Sequence, residues 1–503
     1  MKKILIANRG EIAVRIARAC RDAGIISVAV YSDPDRSAFH VRVADQAYSL
    51  KGSTSAETYL DQDNILAIAS QCDADAIHPG YGFLAENDQF AERCRKAGII
   101  FIGPPPEVIK LLGDKLEARK MAAKAGLPLA PAVDRAIEDN AEAHNDARRI
   151  GYPILIKAAA GGGGKGMRIV YNESELEAAL ITAASEASSA FGDKRIYMEK
   201  YISRPRHIEI QILADAHGSI VHAGERECSI QRRHQKIIEE APSPAIDDNL
   251  RKQMGEAATE LARASGYIGA GTVEFLVDDN LKFYFLEVNT RLQVEHPVTE
   301  VVTGIDFVLE QFKIARNERL SFTQPDIQRH GHAIECRIYA EDASAGFMPS
   351  IGHLSAYHEP AGPGIRVDSG YCSGDTISLY YDPLMAKLIS WGTDRPQAIG
   401  RMRRALSEYI IQGVASTIPF ALLVMDNSSF RSGHISTHFI QDEFPNMDEC
   451  LAGIDSEIEL MAMAAAIVDL QHKTPLKRSG SQGNSAANPW KMSGRINSHR
   501  RAG

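Results

Sequence analysis

Between residues 153 and 171 the chain runs through an apolar strand, four consecutive glycines and a second strand. Pro153 to Lys157 is followed by AAAGGGGKGM and then by Met167 to Tyr171. Few folds accept that order. Glycines let backbone N–H groups approach phosphate oxygens closely, and Lys157 and Lys165 bracket the run with positive charge. A Walker A loop needs Gly-Lys-Ser/Thr opening a helix, and a dinucleotide fingerprint also needs a helix next. Here Gly166 follows Lys165, and MRIVY reads as a strand. The order predicts a flap that closes over phosphates. A lone glycine run would favour a mobile surface hairpin; the flanking lysines and the carboxylate patterns below reverse that preference.

The first hundred residues alternate strand and helix. Lys3 to Ala7, Ser27 to Tyr31, Ala76 to His78 and Ile99 to Ile102 read as strands, and Glu11 to Ala23 reads as a helix with Gly24 as its stop. That alternation predicts an α/β unit with a parallel sheet covered on both faces. Composition shifts divide the chain into 1–112, 113–202, 203–445 and 446–503. In the last part Glu457 to His472 reads as a helix. The Ser-, Gly- and Asn-rich end after it reads as a flexible tail. The formal net charge is -9, which gives no support for a nucleic-acid surface. No stretch is apolar enough to span a membrane. The seven cysteines form no CxxC or zinc spacing; most are expected to be small buried hydrophobes, in a reducing compartment, the cytoplasm.

Two patterns carry chemistry. GTVEFLVDDNLKFYFLEVN reads as a hairpin turning near Asn280, which places Glu274 opposite Glu287 on one face. Like charges so placed repel, and a divalent cation between them removes the conflict; oxygen donors point to magnesium or manganese. If the chain stays extended, Glu287, Asn289, Arg291, Gln293 and Glu295 share one face as a polar ladder. The competing reading is an amphipathic strand with a solvated face. A second ladder, RHIEIQIL, puts His207, Glu209 and Gln211 on one face and isoleucines on the other. Gln231, Arg232, Arg233, His234 and Lys236 form a basic cluster that either binds phosphate or is a solvated turn. Arg337 sits among apolar neighbours, where a structural arginine is the plainer reading.

With these pieces in place, the chain resembles the biotin carboxylase component of biotin-dependent carboxylases, a branch of the ATP-grasp superfamily. The resemblance spans about residues 1–445. It rests on IANRGEIAVRI, HPGYGFLAEN, FIGP, KAAAGGGGKGMRIV, MEKYI, RHIEIQILAD, ERECSIQRRHQKIIEEAPSP, FLEVNTRLQVEHPVTE and YYDPLMAKLI. Details such as YYDPLMAKLISWG look most like alpha subunits of acyl-CoA carboxylases. The resemblance implies an ATP-grasp fold: a Rossmann-like N-terminal domain, a mobile lid and a C-terminal α+β domain. It implies ATP held by Lys115, Lys157, Glu199, Lys200, His207, Gln231 and His234 under a lid of Gly161, Gly162, Gly163 and Gly164. Glu274, Glu287 and Asn289 match the magnesium site. Lys236, Arg291, Gln293, Val294 and Glu295 match the bicarbonate pocket, and Arg337 matches the cation that steadies deprotonated biotin.

The implied reaction is ATP-dependent. Glu295 deprotonates bicarbonate, carboxyphosphate forms, and the CO₂ released from it is captured by biotin. The lid excludes water that would hydrolyse the intermediate. Relatives with a biotinylated lysine carry it in a Met-Lys-Met setting, and the only Met-Lys pair here is Met1-Lys2. Biotin is therefore expected on a separate carrier protein, with carboxyltransferase subunits as further partners and a homodimer as the assembly. Two other readings compete: an ATP-grasp ligase for a different carboxylate, and a catalytically silent scaffold. NTRLQVEHP argues against the first, and intact acid, base and metal positions argue against the second.

Overall fold

Beyond its first residue, Lys3–Ile6 has no polar position to give to solvent: Ile4, Leu5 and Ile6 are all fully buried. It is accordingly the centre of a five-stranded sheet, flanked by Ile26–Tyr31 and Gln46–Ser49 on one side and by Ala76–His78 and Ile100–Phe101 on the other. All four pairings are parallel. Alternate side chains feed two cores. Leu5 packs with Ile65, Ile68, Phe90 and Cys94 from the helices Gln62–Gln71 and Asp88–Lys96. Ile4 and Ile6 pack with Ile12 and Ile16 of the helix Gly10–Asp22, and with Phe307 and Phe312 from far along the chain. Each such fully buried side chain contributes about 1.5–3 kcal/mol over leaving it in water. The sheet is thus covered on both faces, as expected.

The computed structural model describes residues 1–137, 140–160, 166–447 and 449–451. The glycines at 161–164 with Lys165, the predicted helix Glu457 to His472 and the polar end lie outside the described residues.

A small antiparallel sheet follows in the order Arg168–Val170, Ile154–Ala158, Ile196–Lys200. Leu176, Leu180, Ala183 and Ala187 form one stripe of the helix Leu176–Phe191 and close over Ile154, Ile156 and Met198. The helix stops at Gly192, where φ is 69°, the left-handed conformation that glycine adopts without steric cost.

The largest element is an eight-stranded antiparallel sheet: Phe283–Asn289, Gly269–Val277, Arg206–Ala214, Ile220–Arg232, Gln235–Ala241, His332–Tyr339, Leu384–Gly392, Ile365–Ser369. Ile208, Ile210 and Ile212 face a core shared with Val273, Phe275 and the helix Asp248–Ser265. The strict alternation of strand side chains sends His207, Glu209 and Gln211 to the opposite face. That polar face, buried rather than solvated, carries the candidate site.

Candidate active site

The expected hairpin forms, and Glu274 is the register partner of Glu287 across it. A break in register next to Glu274, between it and Phe275, locally bends the pair. The polar ladder beyond it does not stay extended. The strand ends at Asn289, and residues 290–295 bend and turn into the helix His296–Thr303. The reason is burial: Leu292 is fully buried in the core shared with the N-terminal sheet, which pulls the chain out of the ladder. The polar side chains still converge through hydrogen bonds. Arg291 donates to Asn289 Oδ1 at 3.1 Å, Gln293 Oε1 at 3.0 Å and Glu86 Oε2 at 2.8 Å.

The centre of the cluster is the Lys236 ammonium. It donates to Glu274 Oε1 at 2.9 Å, to Glu295 Oε1 at 2.8 Å, and to Glu209. The other oxygen of Glu295 accepts from Arg337 Nη2 at 3.0 Å, and Arg337 Nε donates to Glu239 at 2.6 Å. Arg337, distant in sequence and outside the expected ladder, is therefore in direct contact with its last member. Burial opposes ionisation of Glu295, but Lys236, Arg337 and Arg226 outweigh it and hold the carboxyl well below the usual range. For Glu274 burial is likewise overcome, by Lys236 and by His207, whose Nε2 lies 2.8 Å from Glu274 Oε2. Asn289 Nδ2 also donates to Glu274, at 2.7 Å.

The remaining predicted residues that the structure describes fall in or behind one cleft of about 1040 Å³ that runs from Arg337 to the small sheet. Lys157 pairs with Glu199 at 2.8 Å, and Arg119 holds the other oxygen of Glu199 at 3.3 Å. Lys115 lies 3.5 Å from Glu287. Gln231 approaches His207 Nδ1 at 3.3 Å. Lys200 turns its ammonium to the carbonyls of Gly151 and Tyr152, at 2.9 and 3.0 Å. The His234 imidazole is pushed below its ordinary pKa, first by desolvation in the cleft and then by the nearby positive charges of Lys157 and His207. Val294 contributes to the lining, whereas the carboxylate of Glu295 is wholly buried behind it.

The basic cluster divides. Arg233 and His234 form the tight turn between two strands, with φ of 49° and 67°. Two positive φ values match the turn that suits strand twist, but non-glycine residues there carry strain that recurs at functional sites. Arg232 leaves the cluster: its guanidinium stacks on Phe347 at 4.4 Å and pairs with Glu341 at 3.3 Å.

Four supporting residues have no role assigned from sequence. Arg226 is fully buried and donates to Glu209 at 3.0 Å, Gln211 at 2.7 Å, Thr272 at 2.9 Å and Thr299 at 3.1 Å. Glu209 stands in the second ladder, so its alternation is the available signal. Glu239 and Glu86 give no comparable signal. Glu86 reaches the cluster only because the N-terminal unit packs against it.

Comparison with known proteins gives the family and the fold. Residues 1–109 match the family described as biotin carboxylase, N-terminal domain; residues 114–323 match the carbamoyl-phosphate synthase L chain, ATP binding domain; residues 335–442 match the biotin carboxylase C-terminal domain. The biotin carboxylase of a Nostoc species is 53% identical over 440 residues, which is 88% of this chain and 98% of its own. The propionyl-CoA carboxylase alpha chain of Ruegeria pomeroyi is 45% identical, covering 99% of this chain and 74% of its own. Among solved structures, the biotin carboxylase domain dimer of Hydrogenobacter thermophilus 2-oxoglutarate carboxylase, in complex with MgADP, ADP and bicarbonate, is 48% identical. It has a TM-score of 0.86 and covers 89% of this chain and 98% of that one.

Proposed function

The chain belongs to the biotin carboxylase family of ATP-dependent ligases and has its ATP-grasp fold, and from that premise we propose how its residues divide the work. Bicarbonate is held by Arg291, Gln293, the Val294 segment and Lys236, and Glu295 is its base. Nucleotide is held by Lys115, Lys157, Glu199, Lys200, His207, Gln231 and His234. The observation that carries this reading is the double pairing of Glu295: Lys236 on one oxygen and Arg337 on the other. A carboxylate so held is a weak base. When bicarbonate draws off Lys236 and biotin draws off Arg337, Glu295 loses that compensation and its basicity rises.

The steps follow. Glu295 takes the proton of bicarbonate, and the freed oxygen attacks the γ-phosphorus of ATP as the bond to ADP breaks. Carboxyphosphate then splits to CO₂ and phosphate. Phosphate takes the N1 proton of biotin, and the enolate, its charge facing Arg337, captures CO₂.

The donor set of Glu274, Glu287 and Asn289 fits magnesium or manganese. The two carboxylates are register partners, and each already gathers positive charge, Glu274 from Lys236 and Glu287 from Lys115. A bound metal would neutralise phosphate oxygens there.

Biotin would arrive on a carrier protein, with carboxyltransferase subunits downstream and two copies of this chain in the assembly. An acyl-CoA is our choice of final acceptor, because the likeness to the Ruegeria propionyl-CoA carboxylase chain runs through 99% of this chain. Among the described residues no helix is long and apolar enough to cross a membrane.

The test is ADP release with bicarbonate, with and without free biotin. Bicarbonate-dependent release stimulated by biotin supports the reading. ATP binding without either dependence would refute it.

A further inference from the structure

Lys387 sits where three parts of the chain meet, and no role above uses it. On the strand Leu384–Gly392 it is the register partner of Arg337, so the two cations stand side by side on one face of the sheet. Lys387 is completely buried. An ammonium in that position is tolerated only with close compensation. Its Nζ lies 3.2 Å from Glu11 Oε2 and 3.9 Å from Asp368 Oδ2, and it faces the Tyr81 ring at 5.9 Å. It also donates a hydrogen bond of 2.9 Å to the backbone carbonyl of Val294.

That last target gives the contact its meaning. Residues 290–295 lie outside every strand, so nothing in the sheet ladder fixes the backbone that carries Glu295. Its position depends on side chains. Glu86 accepts from the Thr290 N–H at 3.1 Å, His296 Nδ1 lies 2.7 Å from the Gln293 carbonyl, and Lys387 holds Val294. Arg337 and Lys387, partners on neighbouring strands, therefore clamp the same dipeptide. Arg337 takes the side chain of Glu295, and Lys387 takes the peptide that joins Val294 to it.

We propose that Lys387 is a positioning residue, which fixes the Val294–Glu295 peptide and so sets the Glu295 carboxylate against bicarbonate. The inference rests on the assignment of Val294 and Glu295 to the bicarbonate pocket. A purely structural lysine would need only Glu11 and Asp368, and any buried cation would serve. A positioning lysine must also reach the Val294 carbonyl at the right length.

Two variants separate these roles. Lys387→Met keeps an unbranched stem as far as Cε and removes the ammonium with its charge and donors. A misplacement of about 1 Å costs on the order of 10²-fold, and that loss is expected in kcat/KM for bicarbonate. KM for ATP should stay within about twofold, because nucleotide contacts are untouched. Amide deuterium uptake across residues 290–296 should rise, with Ile154–Ala158 unchanged. Lys387→Arg keeps the buried cation, so it remains folded even where the methionine variant does not. Its longer, planar fork cannot reproduce a point contact, and bicarbonate KM should rise about tenfold, the loss of one such contact. Wild-type bicarbonate kinetics in either folded variant, beside an active wild-type protein, would overturn the inference alone. A wild-type protein with no bicarbonate-dependent ADP release would overturn the proposed function and this inference with it.

Discussion

Glu295 and Glu287 stand at the two ends of one polar segment, yet their surroundings have little in common. The side chain of Glu295 has no exposed surface, and Lys236 and Arg337 occupy its two oxygens. Glu287 is 30% exposed and pairs with Lys115 at 3.5 Å. At the Glu295 end, proposed above for bicarbonate, the charges pair inside the protein: Lys236 with Glu209, Glu274 and Glu295, Arg226 with Glu209, and Arg337 with Glu295 and Glu239. The end toward the small sheet is looser and wetter, with its carboxylate open to an incoming cation. Preorganised charge in a dry site acts without reorganising at the moment of reaction. An open carboxylate takes a hydrated metal that keeps several of its waters. The two ends thus suit two different ligands.

The comparison is broken most directly at Glu295. Glu295→Gln keeps the shape and removes the base, and bicarbonate-dependent ADP release is expected to fall by about 10²–10³, with or without biotin. Near-normal release would show that the preorganised end is not where the proton goes. Arg337→Ala should act differently. It leaves Lys236 on Glu295, so slow ATP cleavage without biotin survives, while carboxybiotin formed per ATP falls by about 10²-fold. Normal coupling in that variant would detach Arg337 from biotin. The open end is tested by Glu287→Gln. Loss of one metal contact is expected to weaken magnesium affinity about 10–100-fold, read as a rise in the midpoint of a magnesium titration of ADP release. An unmoved midpoint would remove Glu287 from the metal set.

Which parts of the molecule are legible in the sequence follows from how local each signal is. The facing pair Glu274 and Glu287 is readable because a hairpin is local and strand alternation is strict. Four strands of the five-stranded sheet are readable from their alternation with helices; the edge strand Gln46–Ser49, none of whose residues is buried, is not. The segment after Asn289 is not, because its bend is caused by Leu292 meeting a core contributed by the N-terminal unit. Arg232 departs from the expected basic cluster for the same kind of reason: Phe347 and Glu341, more than a hundred residues away, draw it out. Arg337 reads as a structural arginine among apolar neighbours. The pairing of its strand with Gln235–Ala241 sets it beside the strand that carries Lys236 and Glu239, and both it and Lys236 reach Glu295. The cysteines follow expectation: most are buried, with Cys372 half-buried and Cys450 exposed.

The smallest expected effect is on stability against pH, and it separates two carboxylates of opposite kind. Glu295 is held well below 4.5 in the folded protein, since its cations outweigh burial. Below about 4.5 the unfolded chain takes up the proton first, so the contribution of Glu295 is present above that value and is lost on further acidification. Glu11 has the opposite sign. Burial raises it from 4.5 to about 7, against the pull of Lys387. The native state then keeps a proton that the unfolded chain has released, so its contribution is full below 4.5 and fades as pH rises through about 7. Glu295→Gln should therefore flatten the acid limb of a Tm-against-pH curve, below 4.5, and leave the limb between 4.5 and 7 as it was. Glu11→Gln should do the reverse. Each arises from a single group and moves Tm by a few degrees, since about 1 kcal/mol shifts a large domain by roughly 2–4 °C. Thermal melts of the two variants from pH 3.5 to 8 read both limbs. If both flattened the same limb, the cations around Glu295 would not be overriding its burial, and the contrast between a charged and a proton-holding carboxyl would fail.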